Sequence, residues 1–166
     1  MGLRIAETMR FATRINSLLS AGHTVDSALS ETARIVGETA VDLNYPEHVE
    51  GLDAVELRKL LQEKGLSLNG FAVRFRDDFR DGEFGPESNH ARAIKLSTDA
   101  IEMLKEAGGD TLTLWLAYDG SDYFFQTDYA RSLQRIIDAV RDIADYRPEV
   151  RISVEFKPYE PRSFSM

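Results

Sequence analysis

The sequence predicts an α/β fold, a parallel sheet with helical crossovers forming part of a (β/α)8 TIM barrel, about strands 1–5 with four intervening helices. Three observations predict it. Segments with period-two alternation and segments with apolar residues at helical spacing follow one another strictly, as β-α-β-α-β-α-β-α-β. Such alternation calls for parallel strands joined by helices. The first turn, Asn16 to Thr24 (NSLLSAGHT), has a single glycine and neither a G-x-G-x-x-G run nor a P-loop, which an open doubly wound sheet would carry there. Polar or aromatic residues instead close strand after strand, as the catalytic face of a barrel requires.

The first strand is read at Arg10 to Leu19, with Phe11, Thr13 and Ile15 alternating against Ala12 and Arg14. Thr24 caps the first helix, whose face is Val25, Ala28, Leu29, Thr32 and Val36, and Gly37 stops it. Thr39 to Asn44 is the second strand, followed by the loop Tyr45-Pro46-Glu47-His48. The second helix runs from about Leu52 to Lys64, with Asp53 in its first turn and Gly65 as its C-terminal stop. Leu66 to Phe75 is the third strand and leads into the long polar loop Arg76 to Asn89. Ser88 or Asn89 caps the third helix, which reaches Ala107 and ends at Gly108-Gly109. Asp110 to Tyr118 is the fourth strand. Tyr129 to Tyr146 is the fourth helix, with the cleanest amphipathic stripe of the chain in Leu133, Ile136, Ile137, Val140, Ile143 and Ala144. The fifth strand starts after Pro148, at Val150, and is stopped by Pro158 and Pro161.

Composition narrows the function. The chain of 166 residues is 43 % apolar and 29 % charged, which suits one soluble globular domain. A net charge of −8 without a basic stripe argues against nucleic acid or an anionic membrane as the main partner. There is no cysteine, so disulfides, thiolate metal sites and a cysteine nucleophile are excluded. No apolar run approaches a membrane span, and Met1 to Arg10 lacks a signal peptide's core, so a cytoplasmic protein is expected.

The fifth strand holds the most informative pair. Ile152, Val154 and Phe156 share one face, and Ser153, Glu155 and Lys157 share the other. A carboxylate and an amine thus sit two residues apart on one side, roughly 7 Å between Cα atoms. They read either as an edge pair facing water or as a functional pair, Glu155 ligating a hard divalent cation and Lys157 hydrogen-bonding a substrate oxygen. Trp115 lies with Thr111, Thr113 and Ala117, opposite Leu112, Leu114 and Leu116, and is either core or one wall of a ligand pocket. His23, His48 and His90 are read as solvent-exposed; His48, in the loop after strand two, is the one that could reach a site. The acidic clusters at Asp77 to Asp81 and Asp119 to Asp122 are read as solvated loops.

Phe79-Arg80-Asp81-Gly82-Glu83-Phe84, Thr111-Leu112-Thr113-Leu114-Trp115 and above all Glu155-Phe156-Lys157-Pro158-Tyr159-Glu160-Pro161-Arg162 resemble the xylose isomerase family of TIM-barrel sugar isomerases, in order and over most of the chain. The resemblance implies an aldose–ketose isomerase that works by a hydride shift with Mg²⁺, Mn²⁺ or Co²⁺ and is homo-oligomeric as a full-length enzyme. It implies Glu155 as a metal ligand, Lys157 as the residue on the substrate oxygen, Trp115 as the substrate's shield and Phe75 as an apolar wall. Where that family's second strand ends in a histidine that assists ring opening, this sequence has Asn44, which cannot shuttle a proton. A sugar handled differently from xylose, or an epimerase of the same superfamily, is therefore an alternative. A metal-dependent endonuclease of the same barrel type is opposed by the acidic charge.

A complete barrel takes roughly 250 residues. The chain stops just after strand five, so residues 1–166 are expected to be the N-terminal part of one barrel domain, inactive alone, with the remaining metal ligands elsewhere. The non-catalytic alternative is a half-barrel that binds without turnover. Either way, uncovered apolar edges are expected.

Overall fold

The computed structural model describes residues 12–75, 83–115 and 128–155. Five strands form one sheet in the order β1 (Ala12–Arg14), β2 (Thr39–Tyr45), β3 (Leu66–Val73), β4 (Thr111–Trp115) and β5 (Arg151–Glu155), every neighbouring pair parallel. The crossovers are α1 (Asn16–Ser20) with α2 (Val25–Val36), then α3 (Ala54–Glu63), α4 (Glu87–Ala107) and α5 (Tyr129–Tyr146). The predicted partial α/β barrel is the fold observed.

Period-two alternation sorts the strands into two faces. Val41, Leu43, Phe71, Val73, Leu112 and Leu114 are buried against the helices, which add Leu29, Leu57, Leu61, Ile101, Leu104 and Ile143 to the same core. Each such side chain removed from water contributes about 1.5–3 kcal/mol. The strand register puts Ala12 and Arg14, Ala40, Asp42 and Asn44, Gly70 and Ala72, Thr111 and Thr113, and Arg151, Ser153 and Glu155 on the other face.

That second face is concave. Arg14 and Glu155 belong to the two edge strands, which a flat sheet would hold roughly 19 Å apart at about 4.8 Å per strand. Their side chains nonetheless approach to 3.6 Å. Only a sheet curled like a barrel wall brings the edges within reach of each other.

Local chemistry explains most helix ends. Thr24 accepts the Ser27 N–H at the start of α2. Asp53 accepts the Glu56 N–H, and Glu56 reaches back to the Asp53 N–H, a complete capping box ahead of α3. Asp53 is thus the cap and not a first-turn residue. Gly108 closes α4 in the left-handed region, φ 96°. Asp128 caps α5 through the Arg131 N–H.

Three expectations are corrected. The first strand does not extend to Leu19. Ile15, Leu18 and Leu19 pack at helical spacing, the Ile15 carbonyl accepts the Leu18 and Leu19 N–H groups, and 16–20 is helix. Neither Ser88 nor Asn89 caps α4, because Pro86 holds the cap position and no side chain bonds there. The third strand ends at Val73, two residues before Phe75. Arg10, Phe11, the acidic clusters and the chain from Phe156 onward lie outside the described residues.

β3 carries a bulge. Val41 pairs with Leu68 but Asp42 with Gly70, which leaves Asn69 as the extra residue. Its amide Nδ2 donates to Asp42 Oδ1 at 2.7 Å, and its carbonyl accepts the Asp110 N–H. Gly70 then lies so close to the Thr111 carbonyl that a side chain there could not fit without backbone movement. Val154 on β5 and Ile137 on α5 are each 42 % exposed.

Candidate functional site at the C-terminal mouth of the sheet

Parallel strands bring all their C-terminal ends to one rim. Here that rim carries Arg14 from β1, Asn44 from β2, Phe75 just beyond β3, Trp115 from β4 and Glu155 from β5. Four of the five residues picked out from sequence are therefore gathered by the fold: Asn44, Phe75, Trp115 and Glu155 stand at successive strand ends. The fifth, Lys157, lies outside the described residues.

Glu155 is half-exposed, on the concave face, and pairs in register with Trp115 through the backbone. Its carboxylate lies beside the Arg14 guanidinium, 3.6 Å from Oε2 to Nη2. β5 is an edge of the described sheet, and the partly exposed Glu155 side chain lies on its concave face. Trp115 is placed by its backbone alone.

Phe75 is half-buried. Its ring meets Phe84 edge-on, with centroids 5.4 Å apart and an interplanar angle of 84°. Phe84 is fully buried, so it anchors Phe75 at the rim. An aromatic wall next to polar strand ends is what a carbohydrate's apolar face and hydroxyl edges require.

Asn44 is buried and held on two sides. Its Nδ2 donates to Glu47 Oε2 at 3.2 Å, and its backbone N–H donates to His48 Nδ1 at 3.0 Å. His48 was expected in solvent; it is 3 % exposed. The 3₁₀ turn Glu47–Val49 folds the imidazole back under the end of β2. Because Nδ1 accepts, the neutral ring carries its proton on Nε2. Burial pushes its pKa below the ordinary value, Glu47 opposes that shift and Arg74 adds to it. His90 is also not simply solvated, since its Nδ1 lies 2.7 Å from the Phe84 carbonyl; His23 is exposed as expected.

Sequence reasoning missed Arg14 and misplaced His48. A charged residue in a three-residue strand gives no sign of which strand it will face. The signal for His48 was its position four residues after Asn44, one short turn beyond a strand end.

As a ligand, Glu155 fits a hard divalent cation: it is an accessible carboxylate at a strand end. Among the described residues, however, no group of three or more His, Asp or Glu side chains could hold a metal ion. They do not make a metal centre by themselves.

No family model matches the chain. A probable sugar isomerase of Mesorhizobium japonicum is 28 % identical over 123 residues, covering 68 % of this chain. A second, from Rhizobium meliloti, is 29 % identical over 141 residues, covering 76 %. This chain spans only 28 % and 31 % of those relatives' length. Among solved structures, a family 2 AP endonuclease from Brucella melitensis superposes with a TM-score of 0.72 at 16 % identity, over 93 % of this chain and 58 % of that one. A xylose isomerase domain-containing protein from Salmonella typhimurium gives 0.56 at 15 % identity, over 92 % and 51 %.

The chain has part of the xylose isomerase-like barrel fold, five parallel strands with their helical crossovers. The structural likenesses carry that fold and nothing more, because the identities are low. Both sequence relatives are named as probable sugar isomerases. Within this xylose isomerase-like frame, the rim residues occupy the face on which barrel enzymes build their sites. No helix among the described residues is long and apolar enough to cross a membrane.

Proposed function

We propose that this chain is the N-terminal part, as one domain portion spanning 1–166, of a longer cytoplasmic sugar isomerase that interconverts an aldose and a ketose. The observation that carries the reading is Glu155 at the concave rim, in a chain whose sequence relatives are probable sugar isomerases.

The net reaction moves one hydrogen between adjacent carbons and one proton between the oxygens they bear, with nothing gained or lost. Lys157 donates a hydrogen bond to a substrate oxygen. Trp115 shields the substrate from water, and Phe75, braced by Phe84, packs on its apolar face. Asn44, fixed by Glu47, offers a neutral amide to a sugar hydroxyl. Mg²⁺, Mn²⁺ or Co²⁺ is the expected cofactor; Glu155 would supply one ligand, the others would come from outside the described residues, and the ion would polarise the substrate's oxygens. The complete enzyme is a homo-oligomer that acts on a small sugar and not on nucleic acid. A net charge of −8 supports that last exclusion despite the endonuclease's shared fold.

The test is to incubate the complete protein and Mn²⁺ with a panel of aldoses and ketoses and follow the sugars by NMR in D₂O. Aldose–ketose interconversion without solvent deuterium at the receiving carbon supports the reading. Inversion at one carbon with deuterium incorporated would instead identify an epimerase, and no turnover of any sugar would reject the enzyme class.

A further inference from the structure

The neighbours of Asn44 fix which way its amide faces. The Glu47 carboxylate can only accept a hydrogen bond, so the amide atom that meets it at 3.2 Å is the NH₂ group. Oδ1, the other end of the same planar group, points away from Glu47. Among the described residues it accepts no hydrogen bond, and it is not one of the atoms sealed from the surface without a partner. The backbone beneath is held too. The Tyr45 carbonyl accepts the Arg74 N–H on the β3 side, so the Asn44 N–H faces the opposite flank. There β1 has already ended, at Arg14 opposite Asp42. The buried imidazole of His48 takes the place of the missing strand and accepts that N–H.

We infer that His48 is a positioning residue that, through the Asn44 backbone, holds Asn44 Oδ1 at the rim as the acceptor for one sugar hydroxyl, which must itself donate. The inference rests on the reading of the rim as a sugar site. An amide does not titrate, so Asn44 reads this hydroxyl without moving its proton. A substrate with hydrogen or fluorine in place of that hydroxyl leaves Oδ1 without a donor. The subsite also depends on the charge of His48. An imidazolium turns an N–H toward the Asn44 N–H and cannot accept it. Burial keeps the ring neutral, Arg74 beyond β3 acts in the same sense, and Glu47 in the same turn opposes them. The acceptor is therefore in place at pH 7 and is lost only in acid.

The test is calorimetric affinity of the complete protein for the best sugar of the panel and for its monodeoxy and deoxyfluoro analogues. Wild type is compared with Asn44→Ala, His48→Phe and His48→Asn, each shown to be folded by thermal unfolding. In wild type, one deoxy analogue is expected to bind about tenfold more weakly than the parent, and its fluoro counterpart, which cannot donate, equally weakly. Asn44→Ala should erase that difference. His48→Phe keeps a ring without an acceptor and should weaken the parent sugar about threefold to tenfold. His48→Asn returns an acceptor in place of Nδ1 and should stay within about twofold of wild type. From pH 7 to pH 5 the wild type should lose more affinity than His48→Asn, which a merely structural role for the ring does not produce. A fluoro analogue that binds like the parent, at the position where the deoxy analogue fails, overturns the acceptor assignment and needs no variant. Unchanged affinity in His48→Phe, or equal losses in His48→Phe and His48→Asn, with Asn44→Ala still impaired, overturns the positioning role alone. No binding of any sugar to wild type overturns the sugar-site reading, and this inference with it.

Discussion

The imidazole Nδ1 of His48 accepts the backbone N–H of Asn44 at 3.0 Å, beneath the end of β2. This one bond ties the loop after β2 to the strand whose last inward-facing residue is Asn44. It requires a neutral ring, because an imidazolium has no acceptor to offer.

Stability should therefore depend on pH through His48. Its folded pKa lies below the ordinary 6.5, chiefly because of burial. In acid the unfolded chain takes up the proton first, so unfolding is favoured as pH falls. The contribution is fully present above pH 6.5 and is lost between 6.5 and the lowered folded value. Urea midpoints at pH 7.5 and pH 5 check this. The wild type should lose more stability across that interval than His48→Gln; an equal loss would mean that His48 does not titrate on unfolding.

Gly70 is expected to tolerate no side chain. A Cβ there would run into the Thr111 carbonyl on the neighbouring strand, and the Thr111 side chain and Asp42 crowd the same spot. Backbone cannot step aside as a flexible side chain can. Gly70→Ala should cost about 1–3 kcal/mol, the usual range for overpacking. Equilibrium urea unfolding measures it, and Gly109→Ala makes a useful comparison, because there the first atom met is the flexible end of Leu104.

The capping box ahead of α3 should be separable into its halves. Asp53→Ala removes the acceptor for the Glu56 N–H and should cost about 0.5–2 kcal/mol. Glu56→Ala removes only the return bond to the Asp53 N–H and should cost less. The double variant should cost less than the sum, since the two bonds form one unit. Strict additivity by thermal unfolding would count against a reciprocal box.

The order of elements was legible because it depends on local signals. Gly37, Gly65 and Gly108 mark helix ends, and the stripe Ile136, Val140, Ile143 marks α5, whatever the rest of the chain does. The helix at 16–20 was not, because Phe11, Thr13 and Ile15 happen to alternate up to the point where Ile15 and Leu18 turn helical. The Asn69 bulge depends on how β3 meets β2, which no single segment encodes. The site divides the same way. Glu155, Trp115, Asn44 and Phe75 announce themselves as strand-end residues. Arg14 acquires meaning only when the curled sheet brings β1 opposite β5. His48 becomes buried only through a turn of three residues.

The role of Glu155 is the claim on which the functional reading stands. The decisive measurement is the rate of aldose–ketose interconversion by the complete protein, wild type against Glu155→Gln, with saturating Mn²⁺ and the best sugar of the panel. The amide keeps the size of the side chain and removes its charge. The account predicts a fall of at least about a hundredfold, the upper end of what loss of even an outer partner of a metal site costs. Interconversion by Glu155→Gln at the wild-type rate would contradict it.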